Sequence, residues 1–248
     1  MSSLVLREDR DSVCVLTLNR PESLNALNMA VFVELNEHVD AIAARPNDFG
    51  CVLLRGAGKS FCAGADLKSR ETGDAIIAAR VFKGNVVKKL ATLPQPVVAA
   101  VQGNCLTGGL EMALTADIII ASESAVFADT HGKWGLVASW GLTQRLPRRV
   151  GKTRAKEMML TGRRYSGRQA EAMGLANFCV PDSEFEAEVK KLVDAVAANS
   201  WHTNRSYKQI LDDTDGLSLA AGLAWELQNH PGSAPDVLDR IQRFSRKS

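Results

Sequence analysis

The stretch that decides the fold runs from residue 97 to residue 117 and reads VVAAVQGNCLTGGLEMALTAD. Its first five residues are apolar, which predicts a buried strand, and Gly103 predicts a turn after that strand. A helical pattern follows, with Gly108 and Gly109 at its start and the carboxylate of Glu111 three residues after Gly108. Paired glycines at a helix start let a ligand approach bare backbone N–H groups. The stretch therefore predicts a strand, a turn and a helix that can polarise a carbonyl oxygen beside one carboxylate.

A second glycine-rich loop, from Gly56 to Asp66, follows another apolar run. The loop before Ala65 and the turn before Gly108 could each present one backbone N–H, and two such donors that converge on one oxygen form an oxyanion hole. Loss of one such donor typically costs about 3–4 kcal/mol of transition-state stabilisation. The alternative is that both glycine pairs are ordinary turn residues. Glu111 could correspondingly complement the helix dipole, form a core ion pair or act as a catalytic base.

Composition narrows the class of protein. The chain has 248 residues, 46% of them apolar, which is enough for a large core. Lys and Arg number 30 against 28 Asp and Glu, and this balance argues against nucleic acid as the main partner. The five scattered cysteines have no metal-ligand spacing, so we expect neither a disulfide framework nor a metal site, and a cytoplasmic location. No apolar run approaches the roughly 20 residues that span a bilayer.

The order of the remaining segments predicts an α/β core followed by helices. Leu4–Leu6 and Val13–Leu18 predict a hairpin, and residues 29–44 have apolar side chains at helical spacing. Further apolar runs predict buried strands that alternate with helices, as in βαβ units; they lie at 51–56, 97–101, 117–121 and 125–128, with an edge strand at 175–180. Residues 141–173 predict helix, punctuated by Pro147, Gly151, Gly162 and Gly167. Four helical segments follow, roughly 183–199, 203–213, 217–229 and 234–246. We expect a core domain, 1–190, and a C-terminal helical region, 191–248, that serves in oligomerisation or as a lid.

Several colinear motifs between Leu4 and Val180 resemble the enoyl-CoA hydratase/isomerase (crotonase) family. They are Asn19-Arg20-Pro21 with Asn25-Ala26-Leu27, the loop Phe61-Cys62-Ala63-Gly64-Ala65-Asp66-Leu67, the stretch from Ala99 to Asp117, Thr143-Gln144-Arg145-Leu146-Pro147 and Leu160-Thr161-Gly162. The resemblance implies a crotonase-like α/β fold, a spiral core of ββα turns with a C-terminal helical region. It also implies an acyl-CoA thioester as substrate and a homotrimer or dimer of trimers with the last helices at subunit contacts. No metal or redox cofactor is implied, because coenzyme A enters as part of the substrate.

The same resemblance assigns roles to individual residues. The N–H groups of Ala65 and Gly108 would hold the thioester oxygen, and Glu111 matches the first of the two catalytic glutamates of the hydratases. Four residues would lie along the adenine end of coenzyme A: Ala63, Ala65, Asp66 and Leu67. Phe244 and Lys247 are the candidates nearest to the family's terminal phenylalanine and lysine.

His131 stands where the family has its second catalytic glutamate. Three readings compete: a catalytic substitute, since an imidazole exchanges protons near neutral pH; the mark of a different reaction on the same scaffold; or a structural histidine in a protein that binds acyl-CoA. Asp129, two residues earlier, could orient His131 or replace it. Next to an ionised Glu111, the protonated imidazole would be favoured as a proton donor to C2 of the substrate.

The reaction that the resemblance favours is hydration of a 2-enoyl-CoA, with Glu111 and His131 as the acid and base. Isomerases of the family generally rely on a carboxylate at position 131, and dienoyl isomerases add an acid at the position of Ser139. Double-bond shifting is therefore less favoured than hydration. The alternatives are another reaction of the family (isomerase, dehydratase or hydrolase) or a weakly catalytic acyl-CoA-binding protein.

Overall fold

The computed structural model describes residues 3–69, 72–73 and 75–246. The strands are β1 Val5–Arg10, β2 Val13–Leu18, β3 Cys51–Gly56, β4 Val97–Val101, β5 Asn104–Leu106, β6 Ile118–Ser122, β7 Val126–Ala128, β8 Tyr165–Ser166 and β9 Phe178–Val180. The helices are α1 Met29–Ala43, α2 Ala75–Ala91, α3 Gly108–Ala113, α4 Leu142–Thr161, α5 Gly167–Ala172, α6 Phe185–Ala198, α7 Trp201–Thr214, α8 Leu219–Asn229 and α9 Val237–Ser245.

The strands form two sheets. The larger has the order β1-β2-β3-β4-β6-β9, and the smaller has the order β5-β7-β8. β1 and β2 pair antiparallel, as the predicted hairpin requires, whereas β2 to β9 run parallel in the large sheet. Parallel neighbours need crossover connections, and α1 and α2 supply them between β2, β3 and β4. The α/β architecture predicted from the sequence is confirmed.

Both faces of the large sheet are covered, which explains the continuous apolar runs of its strands. One face packs against α1, α2 and α3. The other face packs against α6, whose Phe185, Val189 and Val193 belong to one buried apolar cluster with Val15 and Leu53. The proposed boundary between residues 190 and 191 falls within α6 and stays a prediction. Among the described residues, no helix combines the length and the apolar character needed to cross a membrane.

One predicted helical region is divided. Residues 141–173 form α4, the short strand β8 and α5, and one of the predicted breaks, Gly162, lies at the end of α4. Gly162 ends α4 with a left-handed φ of 59°, a conformation that glycine adopts at low cost. The chain then pairs Tyr165 and Ser166 with β7, and Ser166 caps α5. The pairing with β8 holds β7 in place, and β7 leads into the segment that carries His131.

Candidate active site

A parallel bridge brings the two glycine-rich segments together. Cys62 and Cys105 pair in parallel, with Cys62 N donating to Asn104 O at 2.8 Å and Leu106 N donating to Cys62 O at 3.0 Å. Ala65 lies three residues after Cys62, and Gly108 lies three residues after Cys105. Because the segments run in the same direction, equal steps from the bridge place Ala65 beside Gly108. A Cβ built on Gly108 would lie 3.3 Å from Ala65 N.

The turn around Asn25 holds the first segment from its other side. Ala63 N donates to Leu24 O at 2.9 Å, and Leu27 N donates to Gly64 O at 2.8 Å. Asn25 has a left-handed φ of 57°, which asparagine tolerates better than most residues. Its buried side chain donates to the carbonyl oxygens of Ala57 and Ser60 and accepts from Arg20 N. These contacts explain why an Asn-bearing turn precedes the site in the chain: it docks the loop that carries Ala65.

The backbone donors of Ala65 and Gly108 remain available to a ligand. In the described part of the chain, no hydrogen bond uses either N–H group as its donor. The geometry also demands glycine at position 108, because a Cβ there would lie 2.6 Å from the ring of Trp140. The N–H groups of Ala65 and Gly108 therefore lie close together, and both residues line the same cavity.

Glu111 lies one helical turn beyond Gly108, in α3, and is 1% exposed. Its Oε1 accepts hydrogen bonds from Trp140 N at 2.7 Å and from Leu142 N at 3.3 Å, at the start of α4. Burial raises the pKa of the Glu111 carboxyl above its ordinary value, although these N–H donors and the nearby His131 imidazole act against the rise. Oε2 lies 3.8 Å from His131 Nε2, so the carboxylate is anchored by one oxygen and faces the imidazole with the other.

His131 begins a short 3₁₀ turn directly after β7, and its side chain is 13% exposed. Its Nδ1 lies 2.6 Å from Asp129 Oδ1, and its backbone N–H donates to the same oxygen at 3.1 Å. The predicted pair, Glu111 and His131, is thus brought together, and Asp129 adjoins it. The chain bends at Thr130 rather than staying extended, which allows the side chains two residues apart to meet.

Two neighbouring cavities meet at these residues. One, of about 290 Å³, is lined by both donors, by Glu111 and His131 and by apolar side chains that include Leu27, Ile76, Val137 and Trp140. The second, of about 250 Å³, is lined by residues that include Ala63, Leu67, Lys133, Trp134 and Arg164. Ala65, His131 and Leu136 line both. A long ligand can therefore place a reactive centre beside Glu111 and continue past Ala65.

The residues predicted for the adenine end of coenzyme A are divided between these cavities. Ala63, Ala65 and Leu67 line the second one, and Asp66 lines the first. The Asp66 carboxylate accepts from Arg20 Nη1 at 3.0 Å. Burial acts to raise the pKa of Asp66, but the hydrogen bonds from Arg20 and from Lys68 N–H outweigh it and lower that pKa. Asp66 therefore forms an ion pair with Arg20 of the same chain. Lys247 lies outside the described residues.

Sequence reasoning missed the role of Trp140. Its N–H anchors Glu111, and its ring packs edge-on against Phe32 with centroids 4.9 Å apart. No local pattern indicated this contact, because the donor is a backbone N–H that lies just before α4 and its partner is 29 residues away in the chain.

Comparison with known proteins places the chain in a family. A family model described as enoyl-CoA hydratase/isomerase matches residues 8–244. The chain belongs to the enoyl-CoA hydratase/isomerase family. It is 33% identical over 255 residues to the 1,2-epoxyphenylacetyl-CoA isomerase of Escherichia coli, covering all of this chain and 97% of that protein. It is 32% identical to a probable peroxisomal enoyl-CoA hydratase of Arabidopsis thaliana, covering 96% of this chain and 91% of that protein.

The enoyl-CoA hydratase/isomerase family also accounts for the fold. A crystal structure of an enoyl-CoA hydratase from Bacillus anthracis superposes with a TM-score of 0.93 at 34% identity, covering 98% of this chain and 96% of that one. The crotonase-like fold expected from the sequence motifs is therefore confirmed.

Proposed function

We propose that the protein is an enoyl-CoA hydratase, which adds water reversibly to the 2,3 double bond of a 2-enoyl-CoA thioester. The observation that carries this proposal is the convergence of four groups on one cavity: the N–H donors of Ala65 and Gly108, the Glu111 carboxylate and the His131 imidazole. An oxyanion hole beside an acid and a base is what addition to an unsaturated thioester requires.

The first step is polarisation of the thioester. Its carbonyl oxygen accepts hydrogen bonds from the Ala65 and Gly108 N–H groups, which draws electrons away from C3 of the enoyl chain. As negative charge develops on that oxygen, the two donors stabilise the enolate. Loss of one donor is expected to cost about 3–4 kcal/mol of transition-state stabilisation.

Proton transfer then uses the two side chains. Glu111 Oε2 takes a proton from water as the water oxygen bonds to C3, and protonated His131 gives the proton on Nε2 to C2. A raised pKa suits Glu111 to this role, because a base works best when its pKa lies near the operating pH. Transfer of the proton from Glu111 to His131 Nε2, directly or through a water molecule, restores both groups.

Coenzyme A would occupy the second cavity as part of the substrate. Ala63, Ala65 and Leu67 form one of its walls, and Lys133 and Arg164 bring positive charge to it. These cations suit the phosphate groups of coenzyme A. The acyl chain would extend in the opposite direction, toward Ile76 and Trp140.

Steady-state hydration of crotonyl-CoA tests the proposal. We expect turnover by the wild type and losses of about 10²–10⁴-fold for Glu111→Gln and for His131→Ala. Glu37→Gln, on the exposed face of α1, is the matched control and should keep wild-type turnover. No turnover above background with short and long 2-enoyl chains would refute the proposal. A loss in Glu111→Gln alone would keep hydration and remove His131 from it.

Isomerisation is the second candidate, because a relative of 33% identity carries the name of a CoA-thioester isomerase. The same enolate would form, but by removal of a proton from a carbon of the substrate. A proton would then return to another carbon, and no water would be added. Incubation with 3-enoyl-CoA separates the two reactions. Formation of 2-enoyl-CoA at a rate above that of hydration would favour the isomerase.

We also propose assembly as a homotrimer or a dimer of trimers. The support is the apolar surface of the last two helices, where Leu219, Leu227, Leu238 and Phe244 are each at least 70% exposed in the single chain. Light scattering should return three or six times the chain mass of 26.8 kDa. A monomer would refute this assembly.

A further inference from the structure

Asp129 contacts His131 at the proposed site. Asp129 itself is neither part of the oxyanion hole nor one of the two groups that exchange protons with substrate. Asp129 is 3% exposed, and its Oδ1 lies 2.6 Å from His131 Nδ1. An ionised carboxylate can only accept a hydrogen bond, so this short contact places a proton on Nδ1. The other nitrogen, Nε2, is then the one that faces Glu111 and the cavity.

We propose that Asp129 is a positioning residue for the reaction: it confines one proton of His131 to Nδ1, so that only Nε2 exchanges protons with substrate. This inference rests on the proposed hydration. In the cycle above, Nε2–H gives its proton to C2 and recovers one from Glu111. Nδ1–H stays bonded to Asp129 in both states, so the ring keeps one orientation while its charge changes.

The segment that carries the dyad is itself fixed to the oxyanion hole. Thr107 N, next to Gly108, donates to Ala128 O at 2.8 Å. The hydroxyl groups of Thr107 and Thr130 lie 2.6 Å apart and share a hydrogen bond. Residues on both sides of Asp129 are therefore tied to the turn that presents the Gly108 N–H. Asp129 adds the last constraint, the rotation of the imidazole about its side-chain bonds.

A purely structural role for Asp129 makes a different prediction. Its Oδ1 also accepts from the backbone N–H of His131 at 3.1 Å, as in an Asx turn. Asparagine would keep that turn, because its carbonyl oxygen accepts the same hydrogen bond. Asp129→Asn removes the negative charge that favours a proton on Nδ1, and the Glu111 carboxylate near Nε2 then favours the proton on that nitrogen. The variant thus separates shaping of the bend from control of the imidazole proton.

The first test is independent of turnover. The chain has four histidines, so the ¹⁵N signals of His131 can be assigned by their loss in His131→Gln. At a pH where the imidazole is neutral, we expect the Nδ1–H tautomer in the wild type and a shift toward Nε2–H in Asp129→Asn. A wild-type His131 in the Nε2–H tautomer overturns the inference, whatever the enzyme does with crotonyl-CoA, and this measurement stands even if the variant does not fold.

The second test is a double-mutant cycle on crotonyl-CoA hydration. Asp129→Asn should lower kcat on the order of 10²-fold, the usual effect of a misplaced catalytic group, with KM little changed. In a His131→Gln background the same substitution should have no further effect on kcat. An equal loss in both backgrounds, or none in the wild type, overturns the inference.

A matched control is Asp117→Asn. Asp117 is also a bonded aspartate, accepting from Val97 N at 2.7 Å and Lys208 Nζ at 2.9 Å, but it lies away from both cavities. We expect it to lower Tm and to leave kcat unchanged. If the wild type shows no hydration while the tautomers behave as expected, the proposed reaction fails and the positioning of His131 by Asp129 stands.

Discussion

Replacement of Glu111 by Gln should raise the stability of the protein while it removes the activity. Glutamine has the same shape, and its Oε1 can still accept the hydrogen bonds that Trp140 and Leu142 donate to Glu111. The substitution removes only the negative charge and the ability to take a proton. As the proposed base, Glu111 should account for about 10²–10⁴-fold of the rate.

The sign of the stability change follows from the raised pKa of Glu111, of which burial is the largest cause. The folded protein binds this proton more tightly than the unfolded chain does. The free energy of unfolding therefore falls as the pH rises from the ordinary carboxyl pKa of 4.5 through the raised pKa of the folded state. At neutral pH the ionised carboxylate costs stability, and Gln does not carry that cost. Below both pKa values the two side chains are neutral and nearly isosteric, so the difference should vanish.

Thermal unfolding from about pH 4 to about pH 8 measures this difference across the titration of a carboxyl group. Each kcal/mol gained should raise Tm by about 2–4 °C in a chain of this size. The control is Glu37→Gln, which removes an exposed carboxylate of α1. The reasoning is refuted if Glu111→Gln is less stable than the wild type at neutral pH, or if its advantage grows as the pH falls.

Two further substitutions test the packing around the site. Gly109→Ala would place a Cβ 2.2 Å from the carbonyl oxygen of Cys62, a backbone atom of the Cys62–Cys105 bridge. We expect the free energy of unfolding, measured by chemical denaturation, to fall by about 1–3 kcal/mol or more. Gly222→Ala is the control and should cause no loss, because the nearest neighbour of its Cβ would be 3.9 Å away. Arg80, Ser139 and Trp140 line both the cavity of about 290 Å³ and a surface groove of about 500 Å³. Trp140→Ala should lengthen the space open to the acyl chain and so raise kcat/KM for long 2-enoyl chains relative to crotonyl-CoA; an unchanged ratio would place the end of the acyl chain elsewhere.

Local patterns were enough to predict most of the fold. The strand Val97–Val101 is buried along its whole length, and that is the environment in which an unbroken apolar run is stable. β8 could not be predicted in the same way. Its two residues form a strand only because they pair with β7, nearly forty positions earlier, and no pattern within so short a segment records that partner.

The candidate site shows the same limit. The sequence indicated Glu111 and the two glycine-bearing turns, because the residue types and spacings are local. The register that sets Ala65 beside Gly108 depends on the long-range pair Cys62 and Cys105, and only the motif resemblance suggested it. The anchoring of Glu111 by Trp140 N–H was hidden for a similar reason, since a backbone donor leaves no mark in the side-chain sequence.

The charged groups around His131 lead to a prediction about the variant His131→Glu. In the proposed cycle, protonated His131 between ionised Asp129 and Glu111 would leave one net negative charge, the same as one ionised and one protonated glutamate in the two-carboxylate arrangement that the family resemblance implies. His131→Glu alone would set a third carboxylate beside these two, and like charges in a shared site resist ionisation.

Asp129→Asn should relieve that repulsion, so the double variant His131→Glu/Asp129→Asn should exceed His131→Glu in kcat. The same Asp129→Asn change should lower kcat when His131 is present. Steady-state hydration by the wild type and the three variants measures both effects. An effect of the same sign in both backgrounds would mean that Asp129 does not act on the proton balance of residue 131.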